Sequence, residues 1–368
     1  MQDFIIKEVV NKDIEFELEK IGFDIAYRSK ASDKYRYKTL KIFDLTLPQA
    51  NILKQTALTL GADCGVHRDI LTAKVEKTDV ILGGSYSQLY KISEKLKQQP
   101  FSLKSLADDI QKQLISQDRK TKLVGILNVT PNSFSDGGQY LNSDDAIRHI
   151  EKMIEEGADI IDIGAESTKP RVNSVSALEQ IERLKPIFKH LPEFVYSIDT
   201  RSSEVAHFAL DNGVKFVNDV SGLNHDPKML DIVSQYESGL VIQHSTGASE
   251  NLIFYKDVVE EVYKFLYNKL ILAKSAGVKN VILDVGIGFG KTKENNFQIL
   301  NRIEEFFSLE TPLMVGVSRK SLLGISEDDN TLKDALTLAI NYPLMQKGVD
   351  YLRVHNVKLH RQLLDRVI

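Results

Sequence analysis

The chain has 368 residues, 42% of them hydrophobic and 27% charged, which is apolar content for a sizeable core and argues against disorder. Its 47 basic and 51 acidic residues leave a net charge of −4, so nothing general attracts nucleic acid as a partner. A single cysteine, Cys64, excludes an intrachain disulfide, fits a reducing cytoplasm and reads as a small apolar filler.

The first residues, Met1-Gln2-Asp3-Phe4, lack a basic region followed by an apolar one. No run approaches ~18 apolar residues, so the expectation is a soluble cytoplasmic protein with no membrane partner. Residues 1–115 differ in texture from the rest and read as a small α/β or α+β domain. A polar stretch from Tyr27 to Tyr37 precedes a strand over Leu40 to Leu45. Pro48 opens a helix to about Leu60, with Gly61 as its stop. Asp79 to Leu82 form a second strand, Gly83-Gly84 a turn, and Ser85 the cap of a helix to about Gln98. Gly83-Gly84-Ser85 lacks the spacing and the lysine of a phosphate loop. A packing or assembly role is the default for this domain. Pro100 to Lys122 reads as a connector, with Ser105 capping a helix that places Leu106, Ile110 and Leu114 on one face. The charged run Asp118 to Lys122 is a solvated hinge.

Residues 116–368 alternate short apolar strands with helical patterns. Strands are expected near 124–128, 160–164, 195–199, 215–218, 239–243, 280–284, 313–317 and 351–354. Eight strand–helix repeats over about 245 residues predict a (β/α)8 TIM barrel preceded by the smaller N-terminal domain. An open doubly wound sheet is the alternative. A barrel gathers its chemistry at the C-terminal strand ends, and the polar residues stand there. The first strand breaks into the polar loop Asn128-Val129-Thr130-Pro131-Asn132-Ser133-Phe134-Ser135-Asp136-Gly137-Gly138. Later ends carry Glu166-Ser167-Thr168-Lys169-Pro170-Arg171, Asp199-Thr200-Arg201, Asn218-Asp219, Gln243-His244-Ser245, Asp284, Ser318-Arg319-Lys320-Ser321 and Arg353-Val354-His355-Asn356. Eight polar strand ends imply one polar pocket at one mouth.

Asp199, Asn218 and Asp284 suit a flat heterocycle with an amino-amidine edge, because carboxylates accept pairs of N–H bonds and an amide both donates and accepts. A divalent-metal cluster is the competing use of the two aspartates, without His-rich ligand spacing to accompany it. Arg353 and His355, two apart on a strand, share a face and suit a diphosphate, with Lys169 as a further cation. Structural ion pairing is the alternative for Arg353 and Lys320. Asn128 offers one neutral oxygen to a Mg²⁺ already carried by diphosphate oxygens. Thr168, Pro170, Ser321 and Phe134 suit a smaller, less charged subsite for an aryl amine.

At each of these signatures, from about Leu123 to Val367, the chain resembles the dihydropteroate synthase family. The resemblance implies condensation of 6-hydroxymethyl-7,8-dihydropterin diphosphate with p-aminobenzoate, a Mg²⁺ cofactor, homodimers and a p-aminobenzoate subsite that sulfonamides, as mimics of that substrate, should enter. It gives Asp199, Asn218, Asp284, Lys320 and Phe289 to the pterin, and Thr168, Pro170, Ser321 and Phe134 to p-aminobenzoate. Asn128, Lys169, Arg353 and His355 go to the diphosphate, with Asn128 on the metal. The chain departs from the family's usual pattern in having Lys169 for arginine, Arg171 for glycine, Val285 for proline, Ser245 for methionine, and Asn132 and Asn356 for aspartate. The rival readings are a pterin-binding paralogue with weak or lost synthase activity and a methyltetrahydrofolate-dependent methyltransferase.

Overall fold

The computed structural model describes residues 6–9, 14–70, 72–115, 118–129, 143–166, 175–246, 254–325 and 329–367. The chain divides into two compact units, Met1–Gln117 and Asp118–Ile368.

In the first unit, α1 (Ile14–Lys20) and the short α2 (Arg28–Ser32) lead into β1 (Tyr37–Thr46). Then come α3 (Leu47–Thr59), β2 (Asp63–Gly65), β3 (Lys77–Ser85), α4 (Tyr86–Leu96) and α5 (Leu103–Lys112). The sheet order is β1-β3-β2 with both pairings antiparallel, the α+β form of the expected domain. Pro48 lies in the first turn of α3, where a missing N–H costs nothing, and Gly61 follows the helix at φ +68°. Ser85 caps α4 as expected: its Oγ accepts from Gln88 N–H at 3.2 Å while Gln88 Oε1 accepts from Ser85 N–H at 2.9 Å.

Two expectations for this unit are corrected. Gly83 and Gly84 are not a turn; they continue β3, opposite Thr39 and Lys38. The Tyr37 ring lies across Gly83, where a Cβ would stand 2.4 Å from the hydroxyl oxygen, so glycine makes room inside a strand. The helix expected to be capped by Ser105 starts three residues earlier, with Ser102 in the cap position, and it is no connector. Leu103, Ala107 and Ile110 of α5 join Leu53, Leu82, Leu89 and Ile92 in the unit's core.

The second unit is a closed parallel barrel. Its elements are β4 (Lys122–Asn128), α6 (Ser143–Glu155), β5 (Ile160–Gly164), α7 (Ala177–Phe188), β6 (Tyr196–Asp199), α8 (Ser203–Asp211), β7 (Phe216–Asp219) and α9 (Met229–Gln235). They continue with β8 (Gly239–Gln243), α10 (Val258–Ser275), β9 (Val281–Asp284), α11 (Lys293–Asn301), β10 (Leu313–Val315), α12 (Asn330–Lys347), β11 (Tyr351–Val354) and α13 (Val357–Val367). Neighbouring strands pair in chain order and β11 closes onto β4, with Tyr351 beside Lys122 and Val354 beside Gly125. Side chains alternate along a strand, so one set faces the helices and the other fills the barrel.

The inward set is two-tiered. Val124, Ile160, Val241, Ile282 and Met314 form a separate apolar cluster, against which Phe216 and Tyr351 pack. Two positions further along the same strands stand Asp162, Asn218, Gln243, Asp284 and Arg353. An apolar floor therefore carries a polar storey that opens at the C-terminal mouth. Among the described residues no helix is long and apolar enough to cross a membrane.

Candidate active site

The polar storey is built by register. Asn128 at the end of β4 lies opposite Gly164, Gly164 opposite Asp199, and Asp199 opposite Asn218. Asn218 and Asp284 are almost wholly buried, while Asn128, Asp199, Phe289, Lys320, Arg353 and His355 are half-buried. Ser321 is exposed and opens a single 3-10 turn, Ser321–Leu323. Phe134, Thr168, Lys169 and Pro170 lie outside the described residues, as do Asn132 and Arg171.

Arg353 is the centre of the cluster. Its Nε donates to Asp162 Oδ2 at 2.6 Å and its Nη2 to Asp199 Oδ2 at 2.7 Å. Asn218 Nδ2 donates to the same Asp162 oxygen at 2.9 Å. Asp162, 1% exposed, thus gathers two site residues from beneath. Its role was missed from sequence, because one aspartate inside Ile160-Ile161-Asp162-Ile163-Gly164 looks like any strand residue. Asp162 Oδ1, Ser197 Oγ and Asn218 Oδ1 have no protein partner, and all three residues line a cavity of about 10 Å³, room for one bridging water.

Burial sets the electrostatics. It pushes Asp199 up to about 7, with the Arg353 cation pulling the other way and Asp162 and Glu166 adding to the rise. Asp284 is also raised by burial, against the opposing pull of Lys320. Lys320 is pushed down to about 8, chiefly by burial; its Nζ donates to Ile287 O at 2.6 Å and sits 4.7 Å from the centre of the Phe289 ring. His355 is pushed down to about 3 by burial, with the nearby Arg319 and Arg353 cations adding to the fall, so it is neutral at pH 7. Ser318 Oγ lies 2.9 Å from its Nδ1 and accepts from its backbone N–H at 3.2 Å. A hydroxyl proton given to Nδ1 leaves Nε2–H as a neutral donor.

The glycine-rich loop after β9 is tied down from inside. Asp284 Oδ1 accepts from Gly286 N–H at 2.7 Å. The buried Lys291 donates to Gly286 O at 2.8 Å and Phe289 O at 3.2 Å, and its Nζ lies 2.8 Å from His244 Nδ1. Gly286 has φ +66°, and a Cβ there would sit 1.8 Å from His244 O. Only glycine passes so close to β8. His244 is itself pushed down to about 3, first by burial and then by Lys291.

The loop after β10 is held similarly. Arg319, at φ +56°, forks onto Asp334 with two 2.8 Å bonds. Asp334 also accepts from Asn356 Nδ2 at 3.1 Å, while Asn356 Oδ1 accepts from Leu359 N–H at the start of α13. The departure at Asn356 is thereby explained: the amide can donate to Asp334, where an aspartate would face a second carboxylate. Beside the mouth a larger cavity of about 280 Å³ runs along Glu166, Gln180, Arg201, Glu204 and Asp226. Arg201 and Glu166 are paired to each other there at 2.8 Å.

Residues 124–355 match the pterin binding enzyme family. The chain belongs to that family. Among its relatives, a probable bifunctional folylpolyglutamate synthase/dihydropteroate synthase of Haloferax volcanii is 34% identical over 84% of the chain. The chain spans only 40% of that relative's length. A bifunctional dihydropteroate synthase/dihydropteroate reductase of Helicobacter pylori is 30% identical over 98% of the chain and 97% of its own length. The crystal structure of dihydropteroate synthase from Anaplasma phagocytophilum with bound 6-hydroxymethylpterin-monophosphate is 37% identical. It superposes with a TM-score of 0.61 over 68% of this chain and all of its own.

Proposed function

We propose that this pterin-binding enzyme is a dihydropteroate synthase. It joins the exocyclic methylene of 6-hydroxymethyl-7,8-dihydropterin diphosphate to the amine of p-aminobenzoate. The carbon–oxygen bond to diphosphate breaks, a carbon–nitrogen bond forms, and the amine loses one proton. The observation that carries the reading is the trio Asp199, Asn218 and Asp284, brought from three strands to one polar storey with Arg353, Lys320 and His355 around it. A planar ring bearing paired N–H donors satisfies these acceptors, and a ring without them leaves buried carboxylates unpaired. The aryl amine is nucleophilic as the free base, so no nucleophile–base pair is needed. Lys320 and Arg353 supply positive charge where the diphosphate departs, and the neutral His355 supplies a donor.

Magnesium belongs to the same proposal. Among the described residues no three His, Cys, Asp or Glu gather as a metal site, which suits a cation that arrives on the diphosphate. The Asn128 side-chain oxygen, at the end of β4, would be its protein ligand. The ion would neutralise charge on the leaving group. Thr168, Pro170, Ser321 and Phe134 complete the proposal as the p-aminobenzoate subsite, with Lys169 as a further cation for the diphosphate. The family resemblance extends it to a cytoplasmic homodimer, which sedimentation velocity tests.

The deciding experiment supplies the purified protein with dihydropterin diphosphate, Mg²⁺ and p-aminobenzoate. Diphosphate release that depends on the aryl amine, with dihydropteroate formed, is expected. Pterin binding without release would favour a non-catalytic pterin binder. Methyl transfer from methyltetrahydrofolate would favour the methyltransferase.

A second activity is favoured by one observation. The Helicobacter bifunctional dihydropteroate synthase/dihydropteroate reductase matches 98% of this chain and 97% of its own length, so nearly all of the first unit has a counterpart within that protein. We infer that the first unit takes part in reducing dihydropteroate. Oxidation of a reduced nicotinamide on adding dihydropteroate, lost when residues 1–117 are removed, is the expected result.

A further inference from the structure

The carboxylate that a pterin needs is already taken. Asp199 Oδ2 accepts from Arg353 Nη2 at 2.7 Å, and the guanidinium is a chemical likeness of the pterin's amino-amidine edge: both offer coplanar N–H bonds around a nitrogen-flanked carbon. Arg353 holds its other bond, Nε to Asp162 Oδ2 at 2.6 Å, to a residue one step deeper in the barrel. Asp162 lies below the mouth, beside the apolar floor residues Ile160 and Met314, out of reach of a substrate.

We propose that pterin binding exchanges the partner of Asp199. The ring edge replaces Arg353 Nη2, while Asp162 keeps Arg353 by Nε and makes it a hinged cation whose freed end turns to the diphosphate. This rests on the pterin reading of the site. The physical argument is one of satisfaction. Moving Arg353 off Asp199 in an empty site strands a mostly buried carboxylate, so the move is costly until the ring supplies its own N–H groups. Arrival of the ring and release of the cation are then one event. Because Asp162 Oδ2 also accepts from Asn218 Nδ2 at 2.9 Å, the anchor is tied to a second residue of the polar storey and keeps the storey in register during the swap. Asp162 is a positioning residue: it acts through Arg353 and Asn218.

The consequence is a coupling between two halves of one substrate. Inorganic pyrophosphate with Mg²⁺, titrated calorimetrically into the full chain, should bind about tenfold more tightly with saturating 6-hydroxymethylpterin than without it. Two variants separate the parts. Asp199→Asn weakens the hold on Arg353 in the empty site, so pyrophosphate should bind well without the pterin and the coupling should vanish from that side. Asp162→Asn keeps the shape and an acceptor for Asn218 but loses the charged hinge. Pyrophosphate binding should then stay weak even with the pterin present, and kcat should fall more than KM for the pterin diphosphate rises. A merely structural Asp162 would lower every affinity and leave the coupling intact. Equal pyrophosphate affinity with and without pterin in the unaltered protein, or full coupling in Asp162→Asn, would overturn the exchange while leaving the synthase reading standing. Failure to bind the pterin at all would overturn both.

Discussion

Single charges decide most of what this site can do, and Asp199 is the clearest case. Its carboxylate form is the one that accepts N–H bonds, and burial has pushed it up to about 7. Lowering the pH from 8 to 6 therefore adds a proton to the group proposed to hold the pterin. Affinity for 6-hydroxymethylpterin should fall below pH 7 by up to about tenfold per unit, and Asp199→Asn should flatten that profile in calorimetric titrations. His355 stays out of this range, since it is held near 3. Arg353 gives a second test. It lies between two carboxylates, one of them 1% exposed, so Arg353→Ala strands buried charge. A stability loss of about 3–5 kcal/mol in urea denaturation is expected, beyond any loss of turnover. What was legible at this scale follows the same physics. A carboxylate or amide at the end of an apolar run is too costly to be accidental, which is why Asp199, Asn218 and Asp284 stand out from sequence alone. The hold of Asp162 on Arg353 was not legible, because its two ends are 191 residues apart and no spacing encodes a cross-barrel bond.

Strands and helices were read well wherever the apolar period was uninterrupted, and less well where a local signal competed with the sheet. Gly83-Gly84 carries a turn composition, yet flanking strands on both sides of β3 override it and keep the pair extended. Ser105 has the composition of a cap, but the buried stripe through Leu103, Ala107 and Ile110 draws the helix start back to Ser102. The loop after β9 shows what an element can conceal: its glycines announce a tight turn, while the clamp beneath it is a lysine that reads as solvent-facing. Lys291→Met removes the donor shared by Gly286 O, Phe289 O and His244. We expect a loss of about 2–3 kcal/mol in thermal unfolding together with weaker pterin binding, because the loop that carries Phe289 is then held from one side only. Lys291→Arg should rescue neither fully, since a forked guanidinium does not fit a site shaped for a point donor.

The molecule as a whole holds separate hydrophobic cores, one in the first unit and, in the second, one between strands and helices and one inside the barrel. The barrel's first strand is tied within its own unit: Arg119 pairs with Asp350, and the Thr121 hydroxyl donates to Val349 O at 2.7 Å. Residues 118–368 alone should therefore fold, and calorimetry of the intact chain should show two unfolding transitions, one of them matching the isolated barrel. A single transition at a temperature seen in neither part would count against independent cores. The closure of β11 on β4 also sets a timetable for synthesis. A ribosome adds roughly 5–20 residues each second, so the first unit is out and able to fold roughly 10–50 s before Tyr351 exists to seal the barrel. During that interval the polar storey has no Arg353, and Asp162 and Asp199 stand without their cation. The growing barrel has every reason to stay open until its last strand arrives.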